Sequence, residues 1–76
     1  MSLSIFWPRP TILALRRLPY LVATDVDAAV IRFAEEAPVD PAHRVYTLRV
    51  RGYRVVLDVD HAERTVTVGW ILAARD

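Results

Sequence analysis

The 76-residue chain predicts an α+β domain, a four-stranded antiparallel sheet with two helical segments packed on one face, in the order β-α-α-β-β-β. Three observations carry this. From Arg44 to Leu72 the sequence alternates apolar and polar residues in three runs, broken at Arg51-Gly52 and at Asp60-His61-Ala62-Glu63, which is the period of half-buried strands. From Thr11 to Ala37 the apolar residues instead recur at helical intervals, with an interruption at Pro19. Strands that gather their apolar side chains on one face need a cover, and the helical segments supply it.

Ser2 to Trp7 places Leu3, Ile5 and Trp7 on one side and is read as the first strand. Pro8 and Pro10 end it, and Pro10 suits the first turn of a helix, where its missing N–H costs nothing. Thr11 to Leu18 forms that short helix, with Ile12, Leu15 and Leu18 on one face. The second helix starts at Pro19 or at Thr24 and runs to Glu36. Thr24 followed by Asp27 resembles a capping box, and Asp25 and Asp27 favour a helix N-terminus. Val22, Val26, Val30, Phe33 and Ala37 form its core stripe, and Pro38 and Pro41 mark its exit.

Two registers are open to the hairpin at Arg51-Gly52. A three-residue loop, Val50-Arg51-Gly52, sets Leu48 on the same face as Arg54. A two-residue loop pairs Val50 with Tyr53, Arg49 with Arg54, Leu48 with Val55 and Tyr46 with Leu57. Only the second keeps the apolar side chains together, and register follows the buried face. Gly52 suits the positive φ of such a turn, whereas Arg51 suits it poorly. Pairing Val59 with Arg64 then brings Leu57 opposite Val66, Val55 opposite Val68 and Tyr53 opposite Trp70. Trp70 is thereby expected toward the helices, and Gly69 beside Arg54 on the other face.

A chain of this length forms one domain, residues 1–76, and buries only about 60% of the surface its unfolded form exposes. Yet 54% of its residues are hydrophobic, so some apolar surface is expected to meet a partner or a second copy in a homodimer. No cysteine is present, which excludes disulfides and suits a reducing cytoplasm. His43 and His61 are the only histidines, so neither a metal nor another cofactor is expected. The longest uncharged run, 65–74, is too short to span a bilayer, and no positive n-region precedes the first apolar residues, so no secretory leader is expected.

Net charge is +1, but it is unevenly spread. Residues 25–43 hold Arg32 against Asp25, Asp27, Glu35, Glu36 and Asp40, while residues 44–57 hold Arg44, Arg49, Arg51 and Arg54 with no acid. All the basic residues are arginine, a usage that a GC-rich genome accounts for. Arginine clamps phosphate or carboxylate bidentately and cannot act as a general base. In the two-residue register Arg49 faces Arg54, with Cβ atoms roughly 5 Å apart. Like charges at that spacing repel by about 1 kcal/mol in water and roughly 3 kcal/mol at an effective dielectric near 20. An anion such as a phosphate backbone suits this face. Equally, Asp58, Asp60 or a helix carboxylate can reach across and neutralise the pair.

The segments "ALRRLP" at 14–19, "FAEEAP" at 33–38, "VYTLRVRGYRVVLDVD" at 45–60 and "ERTVTV" at 63–68 together resemble the RelE/ParE superfamily of bacterial toxins, over nearly the whole chain. "LRVRGYRVVLDVD" followed by "ERTVTV" is the most specific part. The resemblance implies the toxin of a type II toxin–antitoxin system, neutralised by a cognate antitoxin. Many such toxins cut mRNA in the ribosomal A site: basic residues grip the phosphates while the ribose 2′-hydroxyl attacks. By position those residues match Arg49 and Arg54; a further basic position falls on Thr47. Near the C-terminus, where the family often has a glycine, a basic pair and an aromatic, this chain reads "ILAARD". Ala74 or Arg75 takes the place of the arginine and no tyrosine follows.

The resemblance thus assigns phosphate stabilisation to Arg49, Arg54 and Arg75 and further RNA contacts to Arg44 and Arg51, in a short, C-terminally truncated or degenerate member. Tyr46 and Tyr53 are the remaining candidates for taking the 2′-hydroxyl proton, and both are expected on the apolar face. Other branches inhibit DNA gyrase without the nuclease residues, and a decayed toxin binds only its antitoxin. Outside this superfamily, the same basic face suits a generic protein-interaction domain that takes an acidic peptide.

Overall fold

Six elements follow one another along the computed structural model, which describes residues 2–37 and 40–74. They are β1 (Ser4–Phe6), α1 (Arg9–Arg16), α2 (Tyr20–Glu36), β2 (Val45–Val50), β3 (Tyr53–Asp60) and β4 (Thr65–Ala73). The α+β class and the element order agree with the sequence pattern. Pro10 lies in the first turn of α1, and Pro19 caps the start of α2. The Thr24 capping box does not form. Thr24 lies inside α2 and its hydroxyl donates to the Tyr20 carbonyl one turn earlier, at 2.9 Å.

The sheet order is β1-β4-β3-β2. β2, β3 and β4 form an antiparallel meander, while β1 runs parallel to β4, with Ser4, Ile5 and Phe6 beside Thr65, Val66 and Thr67. The sheet is therefore mixed rather than wholly antiparallel. The reason is topological. The two helices carry the chain from one sheet edge to the other, so the returning meander lays β4 beside β1 in the same direction. A parallel neighbour requires such a long crossover.

One face of the sheet is buried. Val55, Leu57, Val59, Val66 and Val68 are fully enclosed and meet Val26, Val30 and Ala34 of α2. Leu3, Ile5, Trp7, Tyr46, Leu48 and Ile71 pack around them. The stripe read along α2 is thus the core stripe, since Val22, Phe33 and Ala37 also pack there.

The β2–β3 register is the two-residue one, with Val50 on Tyr53, Arg49 on Arg54 and Leu48 on Val55. The β3–β4 register differs from expectation in two ways. First, it is shifted by two: Val59 pairs with Val66 and Leu57 with Val68. His61–Arg64 form the whole turn, with Arg64 at φ 55°, and the Asp60 carboxylate accepts from the Glu63 amide at 3.0 Å. A shift of two keeps every side chain on its face, so alternation cannot distinguish the registers.

Second, a β-bulge follows. Val56 pairs with Trp70 although Leu57 pairs with Val68, leaving Gly69 as an extra residue. One extra residue reverses the face of everything beyond it. Ile71 turns inward, and Trp70 and Leu72 turn outward, 65% and 50% exposed. Arg54 accordingly faces Leu72 rather than Gly69. The α1 side chain Thr11, itself buried, seals the bulge: its hydroxyl donates to the Val68 carbonyl at 2.8 Å and lies 3.4 Å from that of Gly69.

Thr11→Val keeps the shape of the side chain and removes the donor, leaving a buried carbonyl with one partner fewer. It is expected to cost about 1–3 kcal/mol, seen as a fall in Tm of roughly 4–8 °C per kcal/mol. Thr11→Ser, which retains the hydroxyl, should recover most of that loss. Equal melting of wild type and Thr11→Val would remove the hydroxyl from any role at the bulge.

Candidate functional site

Among the described residues no helix covers the second sheet face, although α1 borders it at β4, where Pro10, Thr11 and Ala14 line a recess with Gly69, Trp70 and Ile71. Alternation places on this face Val45, Thr47 and Arg49 from β2, Arg54, Val56 and Asp58 from β3, Trp70 and Leu72 from β4, and Phe6 from β1; the bulge makes the exception to strict alternation in β4. Its hairpin end holds Arg49 and Arg54, while at the β3–β4 end Asp58 is paired with Arg44, and Asp60, Glu63 and Arg64 lie at or beside the turn.

Arg49 and Arg54 stand directly opposite each other in the β2–β3 ladder, both exposed. Among the described residues Arg54 has no ion pair or side-chain hydrogen bond. Holding two guanidinium groups on rigid adjacent strands pre-organises positive charge where an anion can meet both. Beside them the hairpin encloses an open cavity of about 260 Å³, lined by Arg49, Arg51, Gly52, Tyr53 and Ala74. The chain after β4 is tied to its rim, since the Ala74 amide donates to the Gly52 carbonyl at 2.8 Å.

The other sequence-predicted arginines are placed differently. Arg44 lies at the far end of β2, 3.6 Å from the Asp58 carboxylate, with both side chains more than half exposed. Arg51 sits at the hairpin tip and is ion-paired with Asp25 of α2. Its φ of 45° and the 78° of Gly52 are the two positive values that a tight, right-twisting hairpin turn requires. A side chain at such a φ costs roughly 1–2 kcal/mol, and an exposed ion pair returns at most about 1 kcal/mol. Arg75 lies outside the described residues.

Tyr46 belongs to the packed side of the sheet. Its ring meets Phe33 at 5.1 Å and His43 at 4.7 Å, both tilted. Tyr53 also starts on that side but lines the cavity with Arg49 and Arg51. Both histidines are remote from the arginine pair, at the opposite end of the sheet, where His61 Nε2 meets the His43 carbonyl at 2.8 Å. No three His, Asp or Glu side chains gather as metal ligands among the described residues, and no helix there is long and apolar enough to cross a membrane. The sequence pattern missed the outward Trp70, because the only sign of a bulge was the glycine at 69.

Removing the Arg51–Asp25 pair by Asp25→Ala should cost no more than about 1 kcal/mol. Arg51→Gly should be more stable than Arg51→Ala by about 1 kcal/mol, because glycine adopts the positive φ freely. Urea unfolding of the three variants measures both terms. An alanine variant as stable as the glycine one would show that the turn carries no strain.

No known protein family's model matches the sequence, and no curated protein matches it. Solved structures do match. The isolated E. coli RelE toxin superposes with a TM-score of 0.81 at 19% identity, covering 99% of this chain and 87% of that one. A double mutant of E. coli RelE in complex with a peptide of the antitoxin RelBc gives 0.78 at 18% identity, covering 100% and 87%. The toxin–antitoxin complex RelBE2 from Mycobacterium tuberculosis gives 0.66 at 18% identity, covering 96% and 99%. With its mixed sheet, its two helices on one face and its length nearly all superposed, the chain has the RelE-type toxin fold.

Proposed function

We propose that the chain is the toxin of a type II toxin–antitoxin system, and that its open sheet face binds RNA on the ribosome by its phosphates. The observation that carries this is the Arg49–Arg54 pair, opposed on uncovered strands of a RelE-type fold. Two guanidinium groups on adjacent strands can both reach one phosphate, and an RNA backbone there gains charge-assisted hydrogen bonds. Arg44 and Arg51 serve as outer contacts. Each has to leave an exposed carboxylate first, at no more than about 1 kcal/mol. Arg75 is assigned to the same phosphate by sequence position alone.

Cleavage asks for more than binding. The 2′-hydroxyl oxygen attacks phosphorus, the 5′-oxygen leaves, and Arg49 and Arg54 stabilise the extra charge on the phosphorane. Neither guanidinium can take the hydroxyl proton. Tyr53, at the cavity shared with Arg49 and Arg51, is better placed for that than Tyr46 in its aromatic stack.

A protein partner is supported by a separate observation. Leu13 on α1 and Tyr20, Leu21 and Ile31 on α2 are exposed apolar side chains of the helical layer. We assign them to the antitoxin, in keeping with the two matched complexes whose toxins bind an antitoxin chain. The alternative as a gyrase inhibitor has no structural feature of its own here and is an outcome of the test below.

Binding to a single-stranded RNA oligomer across a salt titration, with parallel translation and supercoiling assays, tests this. Wild type should bind RNA and inhibit translation. Arg54→Gln should melt like wild type and bind more weakly, with a slope of log affinity on log salt shallower by about 0.7, one single-strand phosphate contact. Inhibition of supercoiling with unaffected translation would give the gyrase reading instead. Unchanged RNA affinity in Arg54→Gln would end the role of the arginine pair.

A further inference from the structure

The bulge in β4 does something that neither the core nor the arginine pair requires: it turns the larger of two neighbouring apolar side chains outward. Trp70 stands 65% exposed on the uncovered face, while Ile71 packs against the core. Tryptophan and phenylalanine carry the greatest apolar area of any side chains, so an isolated monomer gains by enclosing them. Here Phe6, on the adjacent β1, is also 54% exposed on the same face. Both rings stand on strands rather than loops, so their positions are held by the ladder. Bulges commonly re-aim a side chain beside a working surface.

The surroundings of Trp70 narrow what it can receive. Trp70 pairs with Val56, and Arg54 lies two residues further along β3 on the same face. Diagonal neighbours of this kind have Cβ atoms roughly 7–8 Å apart, a separation that one nucleotide bridges from base to phosphate. Leu72, paired with Arg54, and Val56 complete an apolar floor between them. An apolar helix laid across this floor would bury the Arg54 guanidinium, which has no carboxylate partner among the described residues, and burying an unpaired charge is unfavourable. A nucleotide chain satisfies both features, its bases on the rings and its phosphate on the arginine. Aromatic stacking beside a positive groove is how single strands are held without sequence preference.

We propose that Trp70 is a nucleobase-stacking platform, with Phe6 as a second ring, so that the open face binds single-stranded RNA by its bases as well as its phosphates. This rests on the RNA-binding reading above and adds a residue to it. The platform favours unpaired purines, which offer the largest stacking surface, and disfavours duplex RNA, whose bases are already stacked.

The test uses an octamer of adenosine and an abasic ribose-phosphate octamer of the same charge, with wild type, Trp70→Ala, Trp70→Phe and Arg54→Gln, each checked by thermal melting. Trp70→Ala should weaken binding to the adenosine octamer about tenfold, with the salt slope and the abasic affinity unchanged. Trp70→Phe should retain most of the affinity, and it keeps the proposal falsifiable if the alanine variant does not fold. In a Trp7→Phe background, where Trp70 is the remaining tryptophan, the adenosine octamer should quench its emission and the abasic octamer should not. Weakening by Arg54→Gln with no effect of either Trp70 substitution and no quenching overturns the platform and leaves phosphate binding standing. Failure of wild type to bind either octamer at low salt overturns both. A blue shift of Trp70 emission with an amphipathic helical peptide, without quenching by RNA, makes the face a protein-docking surface and overturns the platform.

Discussion

Between Val68 and Trp70, β4 contains one residue that β3 does not match, and much of the molecule's surface character follows from it. Side chains on a strand alternate strictly, so a single insertion exchanges inside and outside for everything downstream. Ile71 goes to the core; Trp70 and Leu72 go to the open face. A bulge disturbs the ladder locally and leaves backbone groups in need of partners. The buried Thr11 hydroxyl meets the carbonyl of Val68, so the placement of α1 and the reversal of β4 depend on each other.

The size of the chain shapes the rest. Its enclosed core consists mainly of valines from β3, β4 and α2, with Leu57 the largest fully buried side chain. Each such side chain contributes about 1.5–3 kcal/mol, enough for one layer of helix on one layer of sheet. No helical residues remain to cover the second face, which stays open to solvent or a partner. Small two-layer domains are free to use such a face because its residues carry little of the stability. That freedom lets Arg49 and Arg54 stand opposite each other in the ladder with both side chains exposed.

Charge and apolar surface are separated along the open face in a way that suits a strand of nucleic acid. The guanidinium groups cluster where β2 turns into β3, the aromatic rings lie on β4 and β1, and the carboxylates collect at the other end. A backbone that enters from the arginine end meets Arg49 and Arg54 first and the paired Arg44 and Asp58 beyond. The hairpin tip is steadied by the Arg51–Asp25 pair to α2, so the arginine end of the face is joined to the helical layer. The fold by itself assigns none of this chemistry. Related architectures host different activities, and the functional weight lies on particular side chains.

Hydropathy period determined which residues form helices and strands, which face of β2 and β3 is buried, and that Arg49 meets Arg54. These properties are local, or follow from one hairpin whose two-residue turn leaves a single register consistent with a buried face. The RelE-like order of elements was legible for the same reason. Three features were not. Registers two residues apart present identical faces, so the β3–β4 pairing was decided by the turn at His61–Arg64. The direction of β1 was decided by where the helices deliver the chain, which no local pattern encodes. The exposure of Trp70 was decided by the Gly69 bulge and the Thr11 hydroxyl of a helix 57 residues away: the choice between Trp70 and Ile71 for the core exists only once α1 and β4 have met.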